Sequence, residues 1–185
     1  MKKLALLLGL AAIWMAPHMA QAGYADDRAY IENISNRYMI AMDAGDLETV
    51  MSTWAENGTM VTVFGEQHGK AAIRKALAPF VGGAAARADV KEGDTSRPRT
   101  RHQIINHVID VSEDGKTAHT IAYWFAFTNA TPQKDVQLLY MGHYVDELVK
   151  QNGKWLFNKR TVYNESLQNR ALYYPELGET DPLKK

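Results

Sequence analysis

The chain has 185 residues, enough for one ordinary domain and little more. At 46% hydrophobic and 23% charged it is globular rather than disordered, and its 21 basic and 21 acidic side chains cancel, which argues against nucleic acid or an anionic membrane surface as main partner. It has no cysteine, so disulfides and a cysteine-linked lipid anchor are excluded.

Met1-Lys2-Lys3 is a basic start, Leu4 to Met15 is an apolar run too short to span a bilayer, and Ala20-Gln21-Ala22 is a small-residue cleavage site. These predict a signal peptide over 1–22 and a mature single domain over 23–185, periplasmic or secreted. No second apolar run is long enough to cross a membrane. Asp26 or Asp27 can then cap a helix reaching about Ala44, because Ile31, Ile34, Tyr38, Ala41 and Met42 form a helical stripe. Gly45 stops it. Asp46 caps a second, short helix with Leu47, Val50, Met51 and Trp54 on one face, ended by Asn57-Gly58. Thr59 to Phe64 is β-rich, Gly65 and Gly69 bracket a turn, and a third helix runs from about Lys70 to Phe80. The 82–98 segment has no clear period and reads as a long loop, a lid, an interface element or plain slack. Its Arg97, Arg99 and the neighbouring Arg101 are the one local excess of positive charge.

The second half reads as strands: Arg101 to Val111, Lys116 to Asn129, Val136 to Lys150, and Lys154 to about Asn164. In Lys116 to Asn129 both alternating sets of side chains are largely apolar, which predicts cover on both faces. A polar tail, about 168–185, follows. Helices first and strands after predict an α+β fold with three N-terminal helices on a strongly curved, mainly antiparallel sheet. Such a cone leaves a cavity between sheet and helices, a site for a small molecule.

The order and motifs resemble the SnoaL-like branch of the nuclear transport factor 2-like superfamily, the cone-shaped α+β barrel. The matching pieces are Tyr38-x4-Asp43-x-Gly45-Asp46, Trp54-Ala55-x-x-Gly58, Gly69-Lys70-x-x-Ile73, Arg101-His102-x3-Asn106, Gly142-x-Tyr144-x-Asp146 and Gly153-x-Trp155. They run across nearly the whole mature chain. The resemblance implies a site similar to those of scytalone dehydratase, bile acid 7α-dehydratase and hexachlorocyclohexane dehydrochlorinase, lyases that use an Asp-His dyad without a cofactor. It places Asp43 and His102 as that dyad and Tyr38 as an accompanying hydroxyl, with Arg160 at a pocket arginine position. It also implies a homodimer or homotrimer.

The residues themselves allow this chemistry and a blander reading. His102 as a neutral imidazole would take a proton next to a carbonyl, with Asp43 fixing its tautomer. The alternative is an Asp-His hydrogen bond that only pins helix to sheet. Tyr38 lies five positions before Asp43, about 140° around the helix axis, so it is either a hydroxyl donor to substrate or a core aromatic. Arg160, Asn106, Trp54 and His143 are the candidate substrate contacts. Arg160 sits on a mostly apolar strand face opposite Trp155 and Phe157, and is either a ligand for an anion or paired with Asp146 or Glu147. Asn106 shares strand parity with His102, and His107 does not. His143 has core-like parity neighbours in Leu139, Met141 and Val145. No H-x-x-x-H or H-E-x-x-H spacing occurs, so no metal is expected; with no P-loop or dinucleotide fingerprint, no cofactor is expected either. The function expected is proton abstraction and elimination or isomerisation on a small apolar or ring-containing substrate. The alternative is a non-catalytic module that binds a hydrophobic ligand or another subunit. Everything turns on whether Asp43 and His102 meet.

Overall fold

The structure is a computed structural model, describing residues 16–83 and 98–167, with side chains from 23 onward. The predicted leader (apart from the backbone of 16–22), the 84–97 part of the predicted loop and the 168–185 tail lie outside the described residues. The element order is α1 (Ala16–Ala44), α2 (Leu47–Ser52), β1 (Trp54–Thr62), β2 (Gly65–His68), α3 (Lys70–Leu77), β3 (Thr100–Val111), β4 (Thr117–Thr128), β5 (Gln137–Gln151) and β6 (Lys154–Asn164). Among the described residues three helices pack on a six-stranded mixed sheet of order β2-β1-β6-β5-β4-β3, which does not close. Among the described strands only the β1–β6 pair is parallel. Among the described residues no helix is long and apolar enough to cross a membrane.

The helical corner forms for the expected reasons. Gly45 takes φ +85°, the left-handed value that ends a helix, and the Asp46 carboxylate accepts the Thr49 backbone N–H at 2.9 Å. Its bonds from the Thr49 hydroxyl and backbone hold the Asp46 carboxyl below its usual range. The stripe on α1 is buried as predicted: Ile31, Tyr38, Ala41 and Met42 join the core with Val50, Met51 and Phe157.

Helix α3 ends at Leu77 rather than about Phe80, Gly65–His68 is strand β2 rather than a turn, and two further boundaries differ. Helix α1 starts upstream of Asp27, so Asp27 does not cap it. Its buried carboxylate instead accepts Lys150 Nζ at 2.6 Å and Trp155 Nε1 at 2.9 Å, tying the helix to the β5–β6 hairpin. Helix α2 ends before Trp54, because the Thr53 hydroxyl bonds back to the Val50 carbonyl and the Phe157 N–H takes the Thr53 carbonyl. Trp54 therefore opens a strand, and Asn57-Gly58 lies inside β1 rather than closing a helix. A Cβ on Gly58 would come within 3.1 Å of the Trp54 ring, so the glycine permits a close approach. Gly142 plays the same part in the sheet, where a Cβ would sit 1.9 Å from the Tyr163 carbonyl oxygen and 3.1 Å from the Trp124 indole.

Among the described residues the helices cover one face of the sheet only. On β4 the inward residues Ala118, Thr120, Ala122, Trp124, Ala126 and Thr128 are buried, whereas Ile121, Tyr123, Phe125 and Phe127 are half-buried. Among the described residues, the expected cover on both faces is thus met on the inner face alone. Ile105, Val108, Leu138 and Met141 extend the apolar outer face and are exposed.

Candidate active site

Asp43 sits in the last turn of α1, where the helix carbonyls disfavour a negative charge and a partner is needed. The partner is His102 near the start of β3. One carboxylate oxygen accepts the His102 backbone N–H at 2.9 Å, and the other lies 2.6 Å from the ring Nδ1. A carboxylate only accepts, so Nδ1 carries the proton, and in the neutral ring Nε2 is the nitrogen with the lone pair. The pair is largely buried, with His102 the more open of the two side chains.

His102 lines a cavity of about 330 Å³ between the helices and the sheet. Tyr38, Met39 and Met42 come from α1, Met60 and Thr62 from β1, Leu77 from α3, and Trp124, Tyr144 and Val162 from the inner sheet face. Phe64 and Phe80 form a stacked pair in the wall, 6.0 Å between centroids, and Phe64 is 74% exposed, so this pair stands between cavity and solvent. Trp124 lies beside the dyad, its ring 6.5 Å from that of His102 and stacked on Tyr144 at 5.6 Å.

Behind the cavity wall lies a buried ion pair. Arg160 donates through Nε and Nη2 to the two oxygens of Asp146, at 2.8 and 2.7 Å, and each residue is 1% exposed. The guanidinium carbon lies 3.9 Å from the Phe157 ring centroid, 4.3 Å from Tyr144 and 4.5 Å from Tyr38. Burial opposes its charge, but Asp146 overrides that and holds the guanidinium pKa above its ordinary value. Burial also pushes the Tyr38 phenol up against the pull of Arg160, and the Tyr144 phenol well up. Both tyrosines therefore keep their O–H protons and can only donate or accept hydrogen bonds at ordinary pH.

Tyr38 thus lines the cavity together with His102. The other candidates do not. Arg160 belongs to the Asp146 pair and stands outside the cavity lining. Its predicted opposition to Trp155 and Phe157 fails because β6 carries a bulge at Asn158: Phe157 pairs with Leu148 and Lys159 with Glu147, which puts Phe157 and Arg160 on one face. Trp54 is 1% exposed in the core against Tyr38 and Phe157, away from the cavity. His143 points to the outer face, where it bonds Glu165 at 2.6 Å and stacks on Tyr163 at 4.4 Å.

Asn106 is exposed, with φ +52°, in a bulge between Ile105 and Val108 that sets two residues of β3 against one of β4. The bulge reverses the parity that linked Asn106 to His102, and His107 turns inward in its place. Parity counting missed His107; an asparagine inside an apolar strand, able to take the left-handed region, was the available signal. Burial lowers the His107 pKa below 6.5, against the pull of Asp146. The unfolded chain therefore takes up a proton that the folded chain refuses. The resulting stabilisation is complete above about pH 6.5 and is lost as the pH falls toward the lowered value. Denaturant unfolding at about pH 7.5 and about pH 5 checks this. His107→Gln should lose less stability between the two than the parent chain, and equal losses would remove His107 from the account.

Among the described residues no group of three or more His, Asp or Glu side chains could hold a metal ion.

A protein-family model described as the SnoaL-like domain matches residues 23–161. A search of curated proteins finds no match. Among solved structures, a provisionally named scytalone dehydratase from Novosphingobium aromaticivorans is 21% identical, with a TM-score of 0.61 over 78% of this chain and 87% of that one. An NTF2-like protein with a cystatin-like fold from the same species is 20% identical, TM-score 0.61, covering 93% of this chain and 96% of its own. ActVI-ORFA from Streptomyces coelicolor is 19% identical, TM-score 0.60, covering 76% and 98%. At these identities the likeness is one of fold.

Proposed function

Since the SnoaL-like domain model matches most of its length, the chain belongs to the SnoaL-like domain family, and from that premise we propose that it is a cofactor-free lyase or isomerase acting on a small, apolar, ring-containing molecule. The observation that carries the reading is the 2.6 Å contact between Asp43 and His102 Nδ1, on a histidine that also lines the cavity. His102 Nε2 takes a proton from carbon next to a carbonyl. Asp43 stabilises the imidazolium as it forms. The electron pair left on carbon moves toward the carbonyl oxygen. It then expels a leaving group on the neighbouring carbon, as hydroxide or halide, or is reprotonated elsewhere. Apolar walls keep water from competing for the enolate. Tyr38, which lines the same cavity and keeps its proton, would donate a hydrogen bond to that oxygen or to the leaving group.

The test uses two probes. Tetralone reports proton abstraction alone, as exchange of its α-hydrogen for deuterium followed by NMR. A β-hydroxytetralone reports elimination, because loss of water yields naphthol with a new ultraviolet absorbance. Catalysis of either supports the reading. No rate above buffer with both, or with halogenated analogues, overturns it in favour of a module that only binds.

The exposed apolar outer sheet face favours a second copy of the chain packed against it, a homo-oligomer as the family resemblance implies. Light scattering after gel filtration should then find the parent chain as an oligomer and Val108→Glu as a monomer. A monomeric parent chain would dismiss the idea.

A further inference from the structure

Most polar groups around the cavity already have partners. His102 is held by Asp43, Asn164 accepts the Ser166 N–H, and Thr100 is engaged as well. Trp124 and Gln67 differ. Both line the cavity, and the Trp124 indole N–H and the Gln67 side-chain carbonyl are buried without a hydrogen-bond partner among the described residues. Trp124 as a whole is only 4% exposed.

A buried polar group without a protein partner costs stability, and on a cavity wall it is met by water or by a polar group of an incoming ligand. Neither placement is loose. Trp124 is opposite Gly142 in the β4–β5 ladder, and the missing Cβ there leaves room for the indole. Gln67 is opposite Met60 in the β1–β2 pair, and Met60 lines the same cavity. In sheet order three strands separate β2 from β4, so the curved sheet presents the two groups from different sides.

We propose that Trp124 and Gln67 are the specificity-determining polar pair of this cavity, reading a ligand that accepts a hydrogen bond near the dyad and donates one at its far side. The ligand class is a compact ring ketone with a hydroxyl or N–H on the remote ring. The ketone oxygen takes the Trp124 N–H, which keeps the adjoining carbon beside His102. The remote donor meets the Gln67 carbonyl. An all-apolar ring would leave both groups unsatisfied and bind less well. This inference rests on the functional reading above for the orientation it assigns to the ketone, but its test does not depend on turnover.

The test is calorimetric titration with three probes of one skeleton and no leaving group: tetralin, tetralone, and a tetralone with a hydroxyl para to its carbonyl. Each polar group should tighten binding to the parent chain roughly tenfold, the gain of one well-made hydrogen bond. In Trp124→Phe the advantage of tetralone over tetralin should vanish. In Gln67→Met, which keeps the side-chain length, the advantage of the hydroxytetralone over tetralone should vanish and the tetralone–tetralin ratio should stay. Tetralin reports lost packing in each variant. Equal weakening of all three probes would make both residues mere wall and overturn the proposal. So would unchanged ratios, or no binding of any probe at millimolar concentration. Ratios that behave as expected in a chain that never turns over β-hydroxytetralone would end the lyase reading and leave this pair standing. Turnover with unchanged ratios would do the reverse.

Discussion

Asp43→Asn is expected to slow α-hydrogen exchange of tetralone by about 10²–10⁴-fold while leaving the chain folded. The amide can still accept the His102 backbone N–H through its oxygen, the bond that Asp43 makes at 2.9 Å. Its nitrogen then faces Nδ1 and can only donate. That contact favours the tautomer with the proton on Nε2, and the base loses the lone pair it needs. His102→Gln should fall as far, since it removes the base itself. Because the two residues act as one unit, the double variant should be little worse than either single one. Near-wild-type exchange in both single variants, with the denaturation midpoint lowered, would show that the contact only pins α1 to β3. A loss in Asp43→Ala alone would prove less, since alanine also orphans the His102 N–H.

The second large effect is on stability. Asp146→Ala should cost about 3–5 kcal/mol, because it strands the Arg160 guanidinium in a site that is 1% exposed. In a chain of this size that is a fall in melting temperature of roughly 10 °C. Asp146→Leu combined with Arg160→Met should recover most of the loss, since replacing a buried pair by apolar groups is often neutral. Denaturant midpoints decide it. A single variant within about 1 kcal/mol of the parent would mean that Arg160 finds water or another acceptor. The pair also holds the cavity wall: Tyr38 and Tyr144, which line it, both rest against the guanidinium. Lost stability and a looser site should therefore appear together, with the double variant restoring the first more fully than the second.

How far the chain could be read without coordinates depended on which contacts were local. The Gly45 stop, the Asp46 cap and the α1 stripe are set by neighbours within a few residues, and they were legible. So were the long strands, whose bounds shift by a residue or two. Trp54 was misplaced because its spacing from Val50 and Met51 suits a helix, while its burial is decided by the distant β6. Asn106, His107 and Arg160 were misplaced for a shared reason. Parity counting assumes an unbroken ladder, and bulges at Asn106 and Asn158 shift it by one residue. Asp43 and His102 were singled out as residues, but 59 positions separate them, and no local pattern could state their contact. Gln67 was passed over because three residues between two glycines read as a turn rather than as strand β2.

The outermost strand carrying His102 has one side with no sheet neighbour among the described residues. A twelve-residue strand of that kind, rich in Ile and Val, is a template on which another chain's backbone could dock and polymerise. The left-handed turn at Asn106 interrupts the line of amide groups midway, and Arg101 and Asp110 place charge near its ends. The kink that turns His107 inward therefore also acts as a guard against fibre growth. Straightening it to improve packing would remove that guard, and the harm would be felt in solubility before it was felt in folding.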